Sequence, residues 1–309
     1  MPYMQGLVIK STGSWYQVHG SDGQDYDCRI KGKFRITGIQ TTNPIAVGDQ
    51  VEFELEPNSN NGVIFKLQNR KNYIIRKSIN LSKQAQIIAA NMDQAFLVVT
   101  LASPRTSLGF IDRFLATAEA YSIPATLIFN KLDLFHEEGL EILAEYKSIY
   151  ENIGYPCYEV SAIEGTNLGQ VADLLKDKTT LFSGHSGVGK SSLINALLPG
   201  HTIKTGIVSE WSDKGQHTTT FAEMHTLPFG GYLIDTPGIR ELGIYDIRPE
   251  ELGHYFREIR DLMHACKFHN CRHINEPGCA VLAAVNDGEI ELSRYESYLS
   301  IYHGNETRA

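Results

Sequence analysis

The sequence predicts a multidomain chain: an N-terminal OB-like β-barrel over residues 1–77, a central α/β domain over 78–245, and a C-terminal helical module over 246–309. Three observations carry this expectation. Short apolar runs broken by turn residues fill the first segment, strands alternate with helices in the second, and the third is helical but interrupted by a tight Cys/His cluster. Hydrophobic residues make up 42% and charged ones 21%, enough apolar side chain to rule out wholesale disorder. No apolar run approaches the ~20 residues that cross a bilayer, and no charged leader precedes a long apolar stretch. Five cysteines is an odd number, and three of them fall between Cys266 and Cys279. That argues for a reducing compartment and a local metal site over a disulfide framework. The expectation is a cytoplasmic protein with no membrane partner.

In the first module GLVIKS and WYQVHG are separated by a small polar turn, and CRIKGKFRI, VGDQVEFEL and GVIFKLQ follow. About five short strands in so few residues suggest an OB-fold. Arg29, Lys31, Lys33 and Arg35 alternate with Ile30, Gly32, Phe34 and Ile36, so a strand places all four cations on one face. Four like charges repel one another, and a polyanion such as RNA is the partner that explains them; a merely solvated face is the plain alternative. Lys66, Arg70, Lys71, Arg76 and Lys77 extend the basic run. Residues 1–77 hold ten Lys/Arg against seven Asp/Glu, or +3, which leaves −11 for the rest of a chain whose net charge is −8. A basic module joined to an acidic body suggests that one end alone meets a polyanion.

The second module begins near residue 85. Buried strands are expected at 94–100, 125–130 and 179–184, with helices over 111–122, about 137–152 and about 167–177, and a further helix from Lys190. FAEMHTLP and GYLIDT complete the strands. Such interleaving indicates a mostly parallel sheet. The third module is helical over PEELGHYFREIRDLMHA and again over CAVLAAVNDG and ELSRYESYLSIYHG.

The chemistry lies between these elements. Gly184-His185-Ser186-Gly187-Val188-Gly189-Lys190-Ser191 is a full GxxxxGK[ST] phosphate loop between a strand and a helix, and Ser192 continues it. Its backbone N–H groups would cradle phosphates, Lys190 would bridge the β- and γ-phosphates in catalysis, and Ser191 would ligate Mg²⁺. Asn130-Lys131-Leu132-Asp133 ends a buried strand. Asp133 can accept from guanine N1–H and N2–H₂, which adenine cannot match, and Asn130 can reach guanine O6/N7 and tie back to the phosphate loop. Ser161-Ala162 follows the next strand, where a backbone N–H could touch guanine O6; alone, this dipeptide carries no information. Asp235-Thr236-Pro237-Gly238 suits a carboxylate on Mg²⁺ and a Gly238 N–H on the γ-phosphate. Gly215 to Thr220 reads as a switch loop, with Thr219 completing the Mg²⁺ shell. Ile239 stands where a water-orienting Gln often follows the glycine, so His217 is the candidate to position water, against a packing or hinge role. Cys266, Cys271, His273 and Cys279 supply three thiolates and an imidazole for one structural Zn²⁺, with His269 a competing ligand. Cys28 and Cys157 read as small buried residues.

These motifs are the set of Ras-type GTP-binding proteins in permuted order, with NKLD and SA before the phosphate loop and DTPG last. A permutation of this kind keeps the sheet and site when the old termini lie close together. CRIKGKFR, VGDQVEF, RKNYIIRKS, NKLD, GHSGVGKSSLIN, GQHTTT, LIDTPGIREL and CKFHNCRH…PGC span nearly the whole chain. With them the sequence closely resembles the RsgA (YjeQ) family of circularly permuted, ribosome-dependent GTPases. The resemblance implies action on the small ribosomal subunit and its rRNA late in assembly, with GTP hydrolysis to GDP stimulated by that particle. The rival reading is a non-ribosomal GTP-dependent regulator whose zinc module binds a protein partner. No coiled coil or exposed apolar stripe is visible, so a monomer is expected.

Overall fold

The computed structural model describes residues 3–31, 44–57, 59–77, 85–198, 222–235 and 247–304. Lys33, Arg35, His217, Thr219 and Gly238 lie outside the described residues. The described residues gather into two compact units, one drawn from 1–95, 169–183 and 194–241, the other from 96–168, 184–193 and 242–309.

Five strands open the first unit: β1 (Met4–Ser11), β2 (Tyr16–Gly20), β3 (Asp25–Ile30), β4 (Gln50–Leu55) and β5 (Gly62–Leu67). They pair in the order β1-β2-β3-β5-β4, and β4 returns antiparallel to β1, closing the barrel. All contacts are antiparallel except the parallel β3–β5 pair, the order and sense of an OB-fold. Alternation fills the interior with Val8, Val18, Cys28, Phe53 and Ile64. Closure leaves no room for a side chain at Gly62, where a Cβ would sit 2.5 Å from Cys28 Sγ and 2.8 Å from the Phe53 ring. Burial pushes the Cys28 thiol up to about 12 and leaves it inert. The expected alternation holds for the described end of the cationic strand: Arg29 and Lys31 are exposed and Cys28 is buried.

Three cations of the basic run, Lys66, Arg70 and Lys71, are paired internally. Lys66 pairs with Glu52 at 2.7 Å and Lys71 with Asp93 at 2.9 Å, while Arg70 forks onto buried Asp49 at 2.7 and 2.6 Å. Sequence reading also missed a hairpin, β6 (Tyr73–Lys77) against β7 (Ala85–Ala90).

The chain continues through β8 (Gln94–Val99), α1 (Leu108–Ala120), β9 (Ala125–Phe129), α2 (Glu137–Asn152), β10 (Cys157–Glu159), α3 (Leu168–Leu175), β11 (Thr179–Ser183), α4 (Lys190–Leu197), β12 (Glu223–Thr226) and β13 (Tyr232–Asp235). In the first unit β11 and β13 are parallel, β13 and β12 antiparallel, and β12 meets the barrel strand β1 at Lys10↔Glu223. In the second unit β10 and β9 are parallel with β8 next to β9. β8 and β9 are buried along their whole length, as strands covered on both faces must be.

The C-terminal helices are α5 (Arg257–Leu262), α6 (Ala280–Asn286) and α7 (Leu292–Tyr302), with a 3₁₀ segment over Pro249–Tyr255. They bury Leu252, Phe256, Ile259, Val281, Ile290 and Tyr298 in a core that also takes Ala116 from α1. Two ion clusters fasten them to the same helix. Arg294 of α7, 2% exposed, meets Asp112 at 2.6 Å and Glu258 at 2.7 Å, and Tyr150 donates to Asp112 at 2.9 Å. Glu119 takes Arg257 at 2.7 Å and Arg260 at 3.0 Å. Among the described residues no helix is long and apolar enough to cross a membrane.

Candidate nucleotide site and metal cluster

β11 ends at Ser183 and α4 starts at Lys190, so the six residues Gly184 to Gly189 make a tight strand-to-helix loop. Its shape requires glycine twice over. Gly189 has φ +91°, and a Cβ there would lie 2.4 Å from Asn130 Nδ2; Gly184 has φ +146°, with Val98 O at 2.3 Å from its Cβ position. Lys190 curls back over the loop, its Nζ donating to Gly184 O at 2.6 Å and His185 O at 3.0 Å. The His185 ring lies against Phe110, tilted by 33° at a centroid distance of 3.6 Å. Ser186, Gly187 and Val188 complete the turn, and Ser191 and Ser192 sit half-buried on the first turn of α4.

The guanine-reading candidates converge on this loop. Asn130 follows β9 and is 2% exposed. Its N–H donates to Val99 O at 2.8 Å, its Nδ2 to Val188 O at 2.9 Å, and its Oδ1 accepts from Ala162 N at 3.2 Å. One residue, through its backbone and its side chain, thus joins β8, the phosphate loop and the Ser161-Ala162 segment. Lys131 adopts φ +67° and its Nζ donates to Ser103 O, which turns the chain into the short 3₁₀ turn Leu132–Leu134. Leu132 N donates to Val160 O at 3.1 Å. Ser161, fully buried, donates its hydroxyl to Asp133 Oδ1 at 2.5 Å and accepts from Glu164 N at 3.1 Å. The Ser161 hydroxyl thus fixes one oxygen of the Asp133 carboxylate. Asp235 is buried at the end of β13, where a strand terminus presents a carboxylate.

Cys266, Cys271, His273 and Cys279 bring one ligand atom each to within 4.8 Å of one another. Cys266 Sγ lies 3.9 Å from Cys279 Sγ and 3.6 Å from His273 Nδ1, and His273 Nδ1 lies 3.4 Å from Cys279 Sγ. A tetrahedral ion with bonds of about 2.3 Å to sulfur and about 2.0 Å to nitrogen sets edges of about 3.8 and 3.5 Å, so these donors fit a metal ion. Cys279 also caps α6, its Sγ accepting from Leu282 N at 3.4 Å. His269 is exposed and outside the cluster. Glu276, Tyr295 and Tyr298, which hold the His273 loop, escaped sequence reading; the only signal was the three-residue spacing of the tyrosines on one helix face.

Comparison with known proteins matches this arrangement at both ends. The RsgA GTPase family model covers residues 67–245 and the RsgA N-terminal domain model residues 5–64. The small ribosomal subunit biogenesis GTPase RsgA 2 of Bacteroides thetaiotaomicron is 54% identical over 303 residues, 98% of this chain and 97% of its own. Its counterpart in Flavobacterium psychrophilum is 52% identical over 305 residues, 98% of this chain and 94% of its own. YjeQ from Thermotoga maritima has a TM-score of 0.79 at 37% identity, with both chains covered in full. YloQ, described as a circularly permuted GTPase, has a TM-score of 0.75 at 31% identity, covering all of this chain and 96% of that one. With a closed N-terminal barrel, the NKLD segment preceding the GxxxxGKS loop that Asn130 ties down, and a Cys₃His cluster after both, the chain belongs to the RsgA GTPase family.

Proposed function

We propose that this chain hydrolyses GTP to GDP as a biogenesis factor of the small ribosomal subunit, with its rRNA as the polyanionic partner. The observation that carries the GTP reading is Asn130, whose side chain ties the guanine-reading strand to the phosphate loop at Val188 and to Ala162. The ribosomal part rests on relatives at 54% identity named small ribosomal subunit biogenesis GTPase. The working division of labour is a barrel over 1–77, a permuted GTPase domain over 78–245 and a zinc module over 246–309.

Within that reading Asp133 accepts from the guanine edge, and Ala162 N–H faces O6. Adenine at this site would leave a desolvated carboxylate without donors, a loss of about 10⁴-fold or more for comparable sites. Gly184 to Gly189 hold the phosphates through backbone N–H groups, and Lys190 exchanges the loop carbonyls for β- and γ-phosphate oxygens. Charge grows on the γ-phosphoryl oxygens in the transition state, where Lys190 and the Gly238 N–H oppose it. Ser191, Thr219 and Asp235 offer the hard oxygens that would hold Mg²⁺, which would supply charge neutralisation at the phosphates. Ile239 can neither donate nor accept a hydrogen bond, so His217 is assigned to orient the attacking water. Zinc on Cys266, Cys271, His273 and Cys279 is structural, since four protein donors fill the shell. Arg29, Lys31, Lys33 and Arg35 form the RNA face. The protein works as a monomer in the cytoplasm, and contact with the subunit stimulates turnover.

Co-sedimentation with purified small subunits tests the function. Retention with a non-hydrolysable GTP analogue and loss with GDP is expected. Absence from the particle in both states would favour the non-ribosomal regulator.

A further inference from the structure

The imidazole of a metal-bound histidine is ordinarily oriented through its second nitrogen, which donates to a carboxylate, carbonyl or water. In this protein His273 Nε2 is buried and has no such partner among the described residues. His273 has φ +58°, a left-handed conformation that residues with a Cβ seldom adopt.

That conformation is held from both sides. The backbone N–H of Arg272 donates to Glu276 Oε1 at 2.8 Å, and those of Ile274 and Asn275 donate to Oε2 at 2.9 and 3.1 Å. Opposite them, the Tyr295 hydroxyl donates to His273 O at 2.7 Å and the Tyr298 hydroxyl to Arg272 O at 2.7 Å. Converging backbone N–H groups of this kind commonly bind a free anion; here the chain's own carboxylate fills the place. Burial alone would raise the Glu276 carboxyl, but the backbone donors hold it down to about 2, so it remains an acceptor throughout the physiological range.

We infer that Glu276, with Tyr295 and Tyr298, is a positioning device for the metal: it fixes the 272–275 turn so that His273 Nδ1 faces the three sulfurs before an ion arrives. The inference rests on reading the cluster as a zinc site. Groups of this class, one step outside the ligands, typically govern affinity by about 10- to 100-fold.

The test uses full-length protein. Glu276→Gln keeps the size of the side chain but has one carbonyl acceptor where the carboxylate had two. Its zinc dissociation constant, measured by competition with a chromophoric chelator, should rise about 10-fold or more. Cobalt-loaded Glu276→Gln should show shifted visible bands as the imidazole yields to water, while thiolate-to-cobalt charge transfer persists. Tyr295→Phe removes one contact without touching the turn's donors, and should raise the same constant less, with a matching but weaker spectral shift. GTP affinity of both variants should equal that of the parent. Unchanged zinc affinity and unchanged cobalt spectra in both variants would overturn the inference. A parent protein that binds no stoichiometric zinc would overturn the zinc reading itself, which is a separate outcome.

Discussion

Replacing Arg294 with Met should loosen the C-terminal helices from α1. The guanidinium is 2% exposed, lies 2.6 Å from Asp112 and 2.7 Å from Glu258, and has the Phe256 ring 4.7 Å away. Burial disfavours the cation, but the two carboxylates outweigh that cost and keep it charged. Burial likewise pushes the Asp112 carboxyl up, so its charge depends on Arg294. Methionine replaces the apolar stem and removes the charge, leaving two buried carboxylates together; breaking such a pair from one side costs about 3–5 kcal/mol. Without its partner Asp112 is pushed higher still. A carboxyl whose folded pKa exceeds its unfolded value adds stability below the unfolded value, near 4, and loses it as pH rises toward the folded one. The deficit of Arg294→Met should therefore be largest near pH 8 and shrink toward pH 5. Native-state hydrogen exchange of α1 and α7 amides reads it directly. A deficit under about 1 kcal/mol at pH 8, or one that grows on acidification, would refute the reasoning.

Ribosome-stimulated kcat of His217→Ala should fall about 100-fold with GTP binding retained; a near-parental kcat would return this residue to a hinge or packing role. Converting Arg29 and Lys31 to Gln should weaken small-subunit binding and flatten the plot of log K against log salt by about 1.4, on the single-strand value of 0.7 per phosphate contact. Identical slopes would show that this strand end touches no phosphate, leaving Arg29 to its pairing with Glu56.

What was legible in the sequence is what is written contiguously. The eight residues from Gly184 to Ser191 and the four from Asn130 to Asp133 are local patterns, and the backbone they need is encoded in their own glycines and flanking strands. The Cys₃His cluster was legible for the same reason, being confined to fourteen positions from Cys266 to Cys279. Partners from distant segments were not legible. Lys66, Arg70 and Lys71 read as free cations because their acids lie 14, 21 and 22 residues away on other strands or turns. Arg294 and Asp112 are separated by 182 positions, and nothing local in ELSRYESYL marks its arginine as buried. The β6–β7 hairpin was missed because its two strands are short and its cations suggested an extension of the basic barrel face.

The central claim is a guanine-specific hydrolase that answers to the small ribosomal subunit, and one measurement tests it most directly: turnover of GTP, XTP and ATP by Asp133→Asn with and without small subunits. The new amide can donate to the C2 carbonyl of xanthine but cannot accept from guanine as a carboxylate does. XTP should therefore replace GTP as the preferred substrate, with its hydrolysis still stimulated by the subunit and ATP still excluded. An unchanged preference for GTP, or turnover indifferent to the subunit, would contradict the account.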